Sequence, residues 1–335
     1  MTQRRKIIRS SFSVAAMACL PDLSFAEPKI RVAAIFSVSV EQAWISCVHS
    51  ALIAASNRGD IDYIFIDKIA VADYDRTVSE FAQKGYRLIV GECFASEVST
   101  RKIAATLPKT EFLMASAAKP QGPNFSVFDC AIHEPTYLAG MLAGGVSKSN
   151  KLGLIANQWA PSHGRLIRAF IAGARETNPN IEWLVSPLVS SNHNESNSAK
   201  EKEAAFNFID RGADVLYAAS PAVIDAAKER EKLVLGSLIN WQAQYPDTVV
   251  ASALWNMGPT IDRALKLIAE GKFKSQDYGI YSYMKVKGSF LTSIGTFSAK
   301  VPAKLWALTR QREAEIIAGK FTVKINDAEL KSSTP

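Results

Sequence analysis

Among the residues whose type and position bear on chemistry, the stretch "VEQAWISCVHSAL", Val40 to Leu52, comes first. It follows the apolar run "IRVAAIF" and puts Trp44 in the first turn of an expected helix. Trp44, Val48, Ala51, Leu52 and Ala55 share one face at helical spacing. In open parallel sheets, ligands sit beyond the carboxyl ends of the strands, and Trp44 lies just past such an end. It either fills the core above Val48 or holds a flat face toward a ligand, and position alone leaves both readings open.

The compact catalytic motifs are missing. "GMLAGGVSKS", residues 140–149, has the glycines and a lysine of a phosphate loop, but the lysine does not follow the last glycine. No G-x-G offers a dinucleotide turn, and no G-x-S-x-G forms a nucleophile elbow. The histidines, His49, His133, His163 and His193, show no i, i+4 pair, and "HEPTY" lacks the second histidine of a zinc protease helix. A triad assembled from distant segments leaves no compact trace. The pattern therefore points to binding rather than catalysis, with no metal and no cofactor.

Composition bounds the rest. With 48% hydrophobic and 21% charged residues, the chain has enough apolar material for one large or two medium domains. Residues 1–26 read as a secretory signal peptide: a basic start at Arg4, Arg5, Lys6 and Arg9, a short apolar centre, and Ser24-Phe25-Ala26 before Glu27. "QRRKII" also fits a loose twin-arginine pattern, so the export route stays open. A lipid anchor on Cys19 is the minor alternative. Cleavage near Ala26 removes four of the 39 basic side chains and one of the 32 acidic ones, taking the formal charge from +7 to +4. That bias is mild, and no Lys/Arg cluster suggests nucleic acid. Three cysteines remain, Cys47, Cys93 and Cys130, which are expected to be buried thiols rather than a disulfide framework.

Short apolar runs alternate with helical patterns, which argues for α/β architecture with parallel sheets. The chain also repeats itself. "KIRVAAIF" from Lys29 resembles "KLGLIANQ" from Lys151, "ALIA" at Ala51 resembles "AFIA" at Ala169, "DIDYIF" at Asp60 resembles "NIEWLV" at Asn180, and "FAQKGYRLIV" from Phe81 matches "FIDRGADVLY" from Phe208. The nearly constant offset predicts two similarly wound, doubly wound parallel-sheet lobes. Gly85 and Gly212 each follow a helical pattern and precede a strand, where a helix terminus needs positive φ.

The phrases "EQAW", "CFASE", "HEPTYLAGMLAG", "LGLIANQWAPSHGRLIRAFIAGAR", "IDRGADVLY", "ALWNMGPTIDRAL" and "VPAKLWALTRQREAEIIAGKF" occur in an order that resembles the basic membrane protein (BMP) family of ABC-transporter substrate-binding proteins, over nearly all of residues 29–320. The resemblance implies a type I periplasmic-binding-protein fold with a hinge: two lobes joined by three crossovers, with a purine clamped and stacked in the cleft. The expected division is lobe 1 at 29–147, completed by about 255–320, lobe 2 at 148–254, and a C-terminal tail at 321–335.

The same resemblance assigns candidate ligand contacts. Trp44 matches the aromatic residue that stacks on the base from the first lobe, where the family has D-G-G and this chain has "EQA", so Glu41 keeps the carboxylate while both glycines are lost. The second stacking residue of the family comes from an N-S-W run, here replaced by "SSNHNESNSAK"; His193, Trp159, Trp241 or Trp255 would have to fill its place. Phe94 matches a phenylalanine lining the cleft. Asn240 in "GSLINWQ" matches an aspartate that reads the ligand's polar edge, and an amide both donates and accepts where an ionised carboxylate only accepts. Glu134 matches a family glutamate whose place at a helix N-terminus suits the dipole. Implied partners are a purine nucleobase or nucleoside and the permease subunits of an ABC importer, with no nucleic acid, in the periplasm. The alternatives are another small ligand such as a sugar, or a periplasmic ligand sensor.

Overall fold

The computed structural model describes residues 29–156, 161–187 and 198–327. The leader at 1–26, Trp159 and His193 lie outside them.

The first lobe is built from β1 (Ile30–Ile35), α1 (Ala43–Asn57), β2 (Ile61–Ile66), α2 (Val71–Gln83), β3 (Leu88–Glu92), α3 (Glu97–Thr106), β4 (Glu111–Ala115) and β5 (Phe125–Phe128). Its strands are all parallel in the order β2-β1-β3-β4-β5. After α4 (His133–Val146) the pattern recurs: β6 (Lys151–Ala156), α5 (Pro161–Thr177), β7 (Glu182–Pro187), α6 (Ser198–Asp210), β8 (Val215–Ala218), α7 (Pro221–Glu229), β9 (Leu233–Leu238) and β10 (Val249–Trp255). The second sheet runs β7-β6-β8-β9-β10, the same winding, with β11 (Ser289–Leu291) added antiparallel at the β10 edge. Strands β3 and β4 are buried along their whole length, as expected for parallel strands covered on both faces.

The repeat extends to the helix ends. Gly85 has φ +81° and Gly212 has φ +97°. Around Gly85, the Tyr86 N–H donates to the Phe81 carbonyl at 3.1 Å and the Gly85 N–H to Ala82 at 3.0 Å. Around Gly212, the Ala213 N–H reaches Phe208 at 2.9 Å and the Gly212 N–H reaches Ile209 at 2.9 Å. Both are left-handed terminations that satisfy the last carbonyls and turn the chain into the next strand.

The lobe boundaries differ from the expected ones. Eleven of the fourteen residues of α4 are buried, and Leu138 and Leu142 share one core with Leu152, Phe170, Val250, Leu291 and Leu305. A helix apolar on all sides needs cover on all sides, and the second sheet, α5 and α9 (Ala303–Ile317) provide it. The chain therefore leaves the first lobe at 129–132, not at 147. Only the stretch from about 257 to 281 returns to the first lobe, where α8 (Gly258–Ala269) packs on α1 and contributes Ile261, Ala264 and Ile268 to its core. The third crossover falls near Ser282, and 289–317 belong to the second lobe. The described part of the tail packs there too, with Val323 buried and Phe321 against Tyr137 at 5.4 Å between ring centroids.

The glycines of "YLAGMLAGG" serve this packing rather than phosphate binding. A methyl group at Gly140 would overlap the Phe170 carbonyl, one at Gly144 the Ala174 carbonyl, and one at Gly173 the Tyr137 carbonyl. Helices α4 and α5 therefore touch backbone to backbone. Gly140→Ala is expected to lower stability by about 1–3 kcal/mol, because the helices must separate to admit one methyl; equilibrium urea unfolding measures this, with an unchanged midpoint as the contrary result.

Candidate functional site

Trp44 sits in the first turn of α1, just beyond β1, partly buried. Its ring lies nearly parallel to Phe128, with 5.8 Å between centroids and 13° between planes. Trp255 is tilted against it at 5.3 Å and 44°, and Phe94 meets it edge-on at 6.5 Å and 60°. These rings come from four segments: the start of α1, the turn after β3, the last residue of β5 and the last residue of β10. All are carboxyl ends of strands or the turns that follow them, where a doubly wound sheet places ligands. Trp44 packs against the first-lobe core and keeps part of its surface open.

Exposure separates the roles. Phe94 is 55% exposed, whereas Trp255 is 5% exposed and Phe128 1%. Trp255 is therefore placed as a support for Trp44 rather than as a surface swung into the gap. Its indole N–H donates to Ser282 Oγ at 2.9 Å, and the Ser282 hydroxyl donates to the Asp129 carbonyl at 3.1 Å. Trp241 is buried in the second-lobe core, packed toward Tyr245.

The loop between β1 and α1, which carries "EQA" before Trp44, is held by carboxylates. The Ser37 N–H donates to Glu92 Oε1 at 2.6 Å, and the Val40 N–H to Asp67 Oδ2 at 3.2 Å. Glu92 is buried at the end of β3. Glu41 is exposed on this loop, its own N–H directed to Ser39 Oγ at 3.4 Å. On the second lobe Asn240 is exposed beyond β9, and its Oδ1 accepts the Gln242 N–H at 3.0 Å. That oxygen keeps a second lone pair, so Asn240 can offer outward both its amide N–H2 and an acceptor. The lobes touch here: Leu238, with φ +71°, presents its carbonyl to Cys47 Sγ at 3.6 Å.

Glu134 lies in the first turn of α4 and accepts the Met284 N–H at 2.7 Å, tying the third crossover to the second lobe. Burial raises its pKa and that hydrogen bond opposes the rise. Asp129 is likewise raised by burial, against the pull of Arg165, whose Nη1 stands 3.1 Å from it. Arg165 also reaches Asp327 at 2.7 Å. Burial pushes the Cys47 and Cys93 thiols up to about 12 and Cys130 well above its ordinary value, so none is a ready nucleophile. Among the described residues no three His, Cys, Asp or Glu side chains group to hold a metal, and no described helix is long and apolar enough to cross a membrane.

The sequence reading missed Phe128 and Glu92. Phe128 ends the short apolar run "FSVF", which signals a strand but not which of its rings meets Trp44. Glu92 lies inside "VGECFASE" with no local pattern marking it as a loop anchor.

Comparison with known proteins bears on the family and the fold. The family model Bmp, described as ABC transporter substrate-binding protein PnrA-like, matches residues 34–291. A purine-binding protein of Brucella abortus is 28% identical over 269 residues, covering 78% of this chain and 72% of its own. The nucleoside-binding protein BmpA of Lactococcus lactis is 24% identical over 281 residues, covering 81% of this chain and 75% of its own. The crystal structure of a solute-binding protein of an ABC transporter system from Aeropyrum pernix superposes with a TM-score of 0.72 at 17% identity, covering 89% of this chain and 94% of that one, which bears on the fold alone.

His133 gives this region a pH dependence. Burial, with Arg165 nearby, lowers its pKa to about 4, against the opposing pull of the Ala131 carbonyl and Asp327. The folded state thus favours the neutral ring, and its contribution is present above the unfolded pKa of about 6.5 and lost as pH falls toward 4, by about 3 kcal/mol in all. The raised Asp129 and Glu134 act in the opposite sense, favouring the fold at low pH and losing that contribution as pH rises. The histidine is therefore read as the difference between wild type and His133→Gln in unfolding free energy at pH 7 and pH 4.5. The gap between them is expected to narrow on acidification, and a constant gap would contradict the assignment.

Proposed function

This chain belongs to the Bmp family of PnrA-like ABC transporter substrate-binding proteins, and from that premise we propose that it captures a purine base or nucleoside between its lobes and delivers it to the permease of an ABC importer. The family is one of substrate-binding proteins, not of enzymes. The observation that carries the purine reading is the ring cluster: Trp44, backed by Phe128 and Trp255 and flanked by exposed Phe94, at the strand ends where the lobes meet. The names of the Brucella and Lactococcus relatives support the same ligand class. The protein works in the periplasm, exported by a leader cleaved near Ala26, as the basic and apolar layout of residues 1–26 supports.

Each group has a distinct task. Stacking on an aromatic ring is worth about 1–3 kcal/mol per base and tolerates any base, so Trp44 supplies affinity. Selection comes from the polar edge. Glu41 offers acceptors to ligand N–H groups, while the Asn240 amide N–H2 donates to a ring nitrogen or an exocyclic oxygen. A site that pairs such groups rejects analogues lacking them, since its own polar atoms would otherwise be left unpaired once the lobes close over the ligand.

Calorimetric titration of the mature protein, refolded to strip carried ligand, with adenine, guanine, hypoxanthine, adenosine and ribose tests the reading. Saturable binding of one purine at micromolar affinity or tighter is expected, with Trp44→Ala weakening it by about 10- to 100-fold. Binding of ribose with no heat from any purine would replace the purine by a sugar. Asn240→Asp keeps the turn but removes the donor, so it is expected to shift preference away from ligands with an acceptor at that edge; an unchanged order of affinities would remove Asn240 from the site.

A further inference from the structure

We propose that Ser282 is a positioning residue whose hydroxyl joins the aromatic platform to the hinge, so that the tilt of Trp255 and the placement of the first crossover change together. The proposal rests on the reading that the platform takes the ligand.

Ser282 closes the short 3-10 turn Gly279–Ser282 and is 1% exposed. Its oxygen accepts from the indole of Trp255, at the second crossover, and its hydrogen goes to the carbonyl of Asp129, at the first. Ser282 itself stands at the third. One hydroxyl, acting as acceptor and donor at once, thus holds all three passages of the chain between the lobes. An indole N–H is donor-only and needs a partner when buried, so the ring of Trp255 is oriented by this contact. That ring lies 5.3 Å from Trp44 and 6.2 Å from Phe128.

The far end of the relay reaches the second lobe. Asp129 gives its backbone carbonyl to Ser282 and its carboxylate to Arg165 of α5. Two residues beyond Ser282, the Met284 N–H is held by Glu134 of α4. The third crossover is therefore pinned on one side to the platform and on the other to the second lobe, with one residue between the two anchors. A change in the angle between lobes acts on this short span, and through Ser282 on the ring behind Trp44.

The test uses Ser282→Ala, Trp255→Phe and the double variant in the mature protein, each checked for folding by circular dichroism. Affinity is measured for the tightest-binding purine. Interlobe distance is measured without ligand, by spin labels at Lys102→Cys and Glu203→Cys, both exposed and one on each lobe, while the native cysteines are buried. Each single variant is expected to weaken binding by about tenfold, and the double by about the same factor, because both cut one link. The ligand-free distance distribution is expected to broaden in Ser282→Ala. Wild-type affinity and distribution in Ser282→Ala, or losses that multiply in the double variant, would overturn the relay. If the wild type binds no purine, the functional reading fails, and the distance distribution still decides whether Ser282 pins the hinge.

Discussion

The packing of Trp44 on Phe128 and Trp255 is the contact on which the rest of the structure turns, because both supporting rings end strands from which the chain departs for the other lobe. Phe128 is the last residue of β5, immediately before the first crossover, and Trp255 the last of β10, immediately before the second. The platform and the hinge are thus made from adjacent residues. Here the rings are fixed by burial and by the Trp255 indole bond, and the only strongly exposed ring of the four is Phe94.

Around that seam the molecule is the same unit used twice. Corresponding strands follow the same order in both sheets, and the corresponding helices α2 and α6 end in the same left-handed glycine termination. The exchange of α4 and α8 keeps the symmetry, since each follows the last parallel strand of one lobe and packs on the first helix of the other; what breaks it is closeness, because α4 and α5 meet at backbone distance through Gly140, Gly144 and Gly173. That tight pair makes the second lobe a rigid base for the crossovers. Arg165 on α5 and Glu134 on α4 extend from it to the first and third passages.

How much of this was legible in the sequence follows from what each feature leaves behind. The duplicated winding was readable because apolar strands, helical periods and terminating glycines recur in register, and Gly85 and Gly212 have the conformation expected of them. The lobe boundaries were not, because the chain crosses at 129–132 with no change of composition, and α4 reads like any apolar helix until its all-round burial is seen. Trp44 and Phe94 were placed at the strand ends by position and resemblance. Trp255, one of four residues the sequence offers for the second stacking place, packs on Trp44 with little surface of its own, which depends on contacts between residues 211 positions apart. The Gln242 N–H takes one lone pair of the Asn240 carbonyl, a local turn that no spacing rule reveals.

The most direct measurement is a crystal structure of the mature protein with the purine that binds most tightly. The account predicts the base lying parallel to the Trp44 indole at stacking distance, Phe94 at its edge, the Asn240 amide donating to its polar rim, and Trp255 still bonded to Ser282. A ligand seated away from the Trp44 ring, with the four aromatic residues packed only on one another, would contradict it.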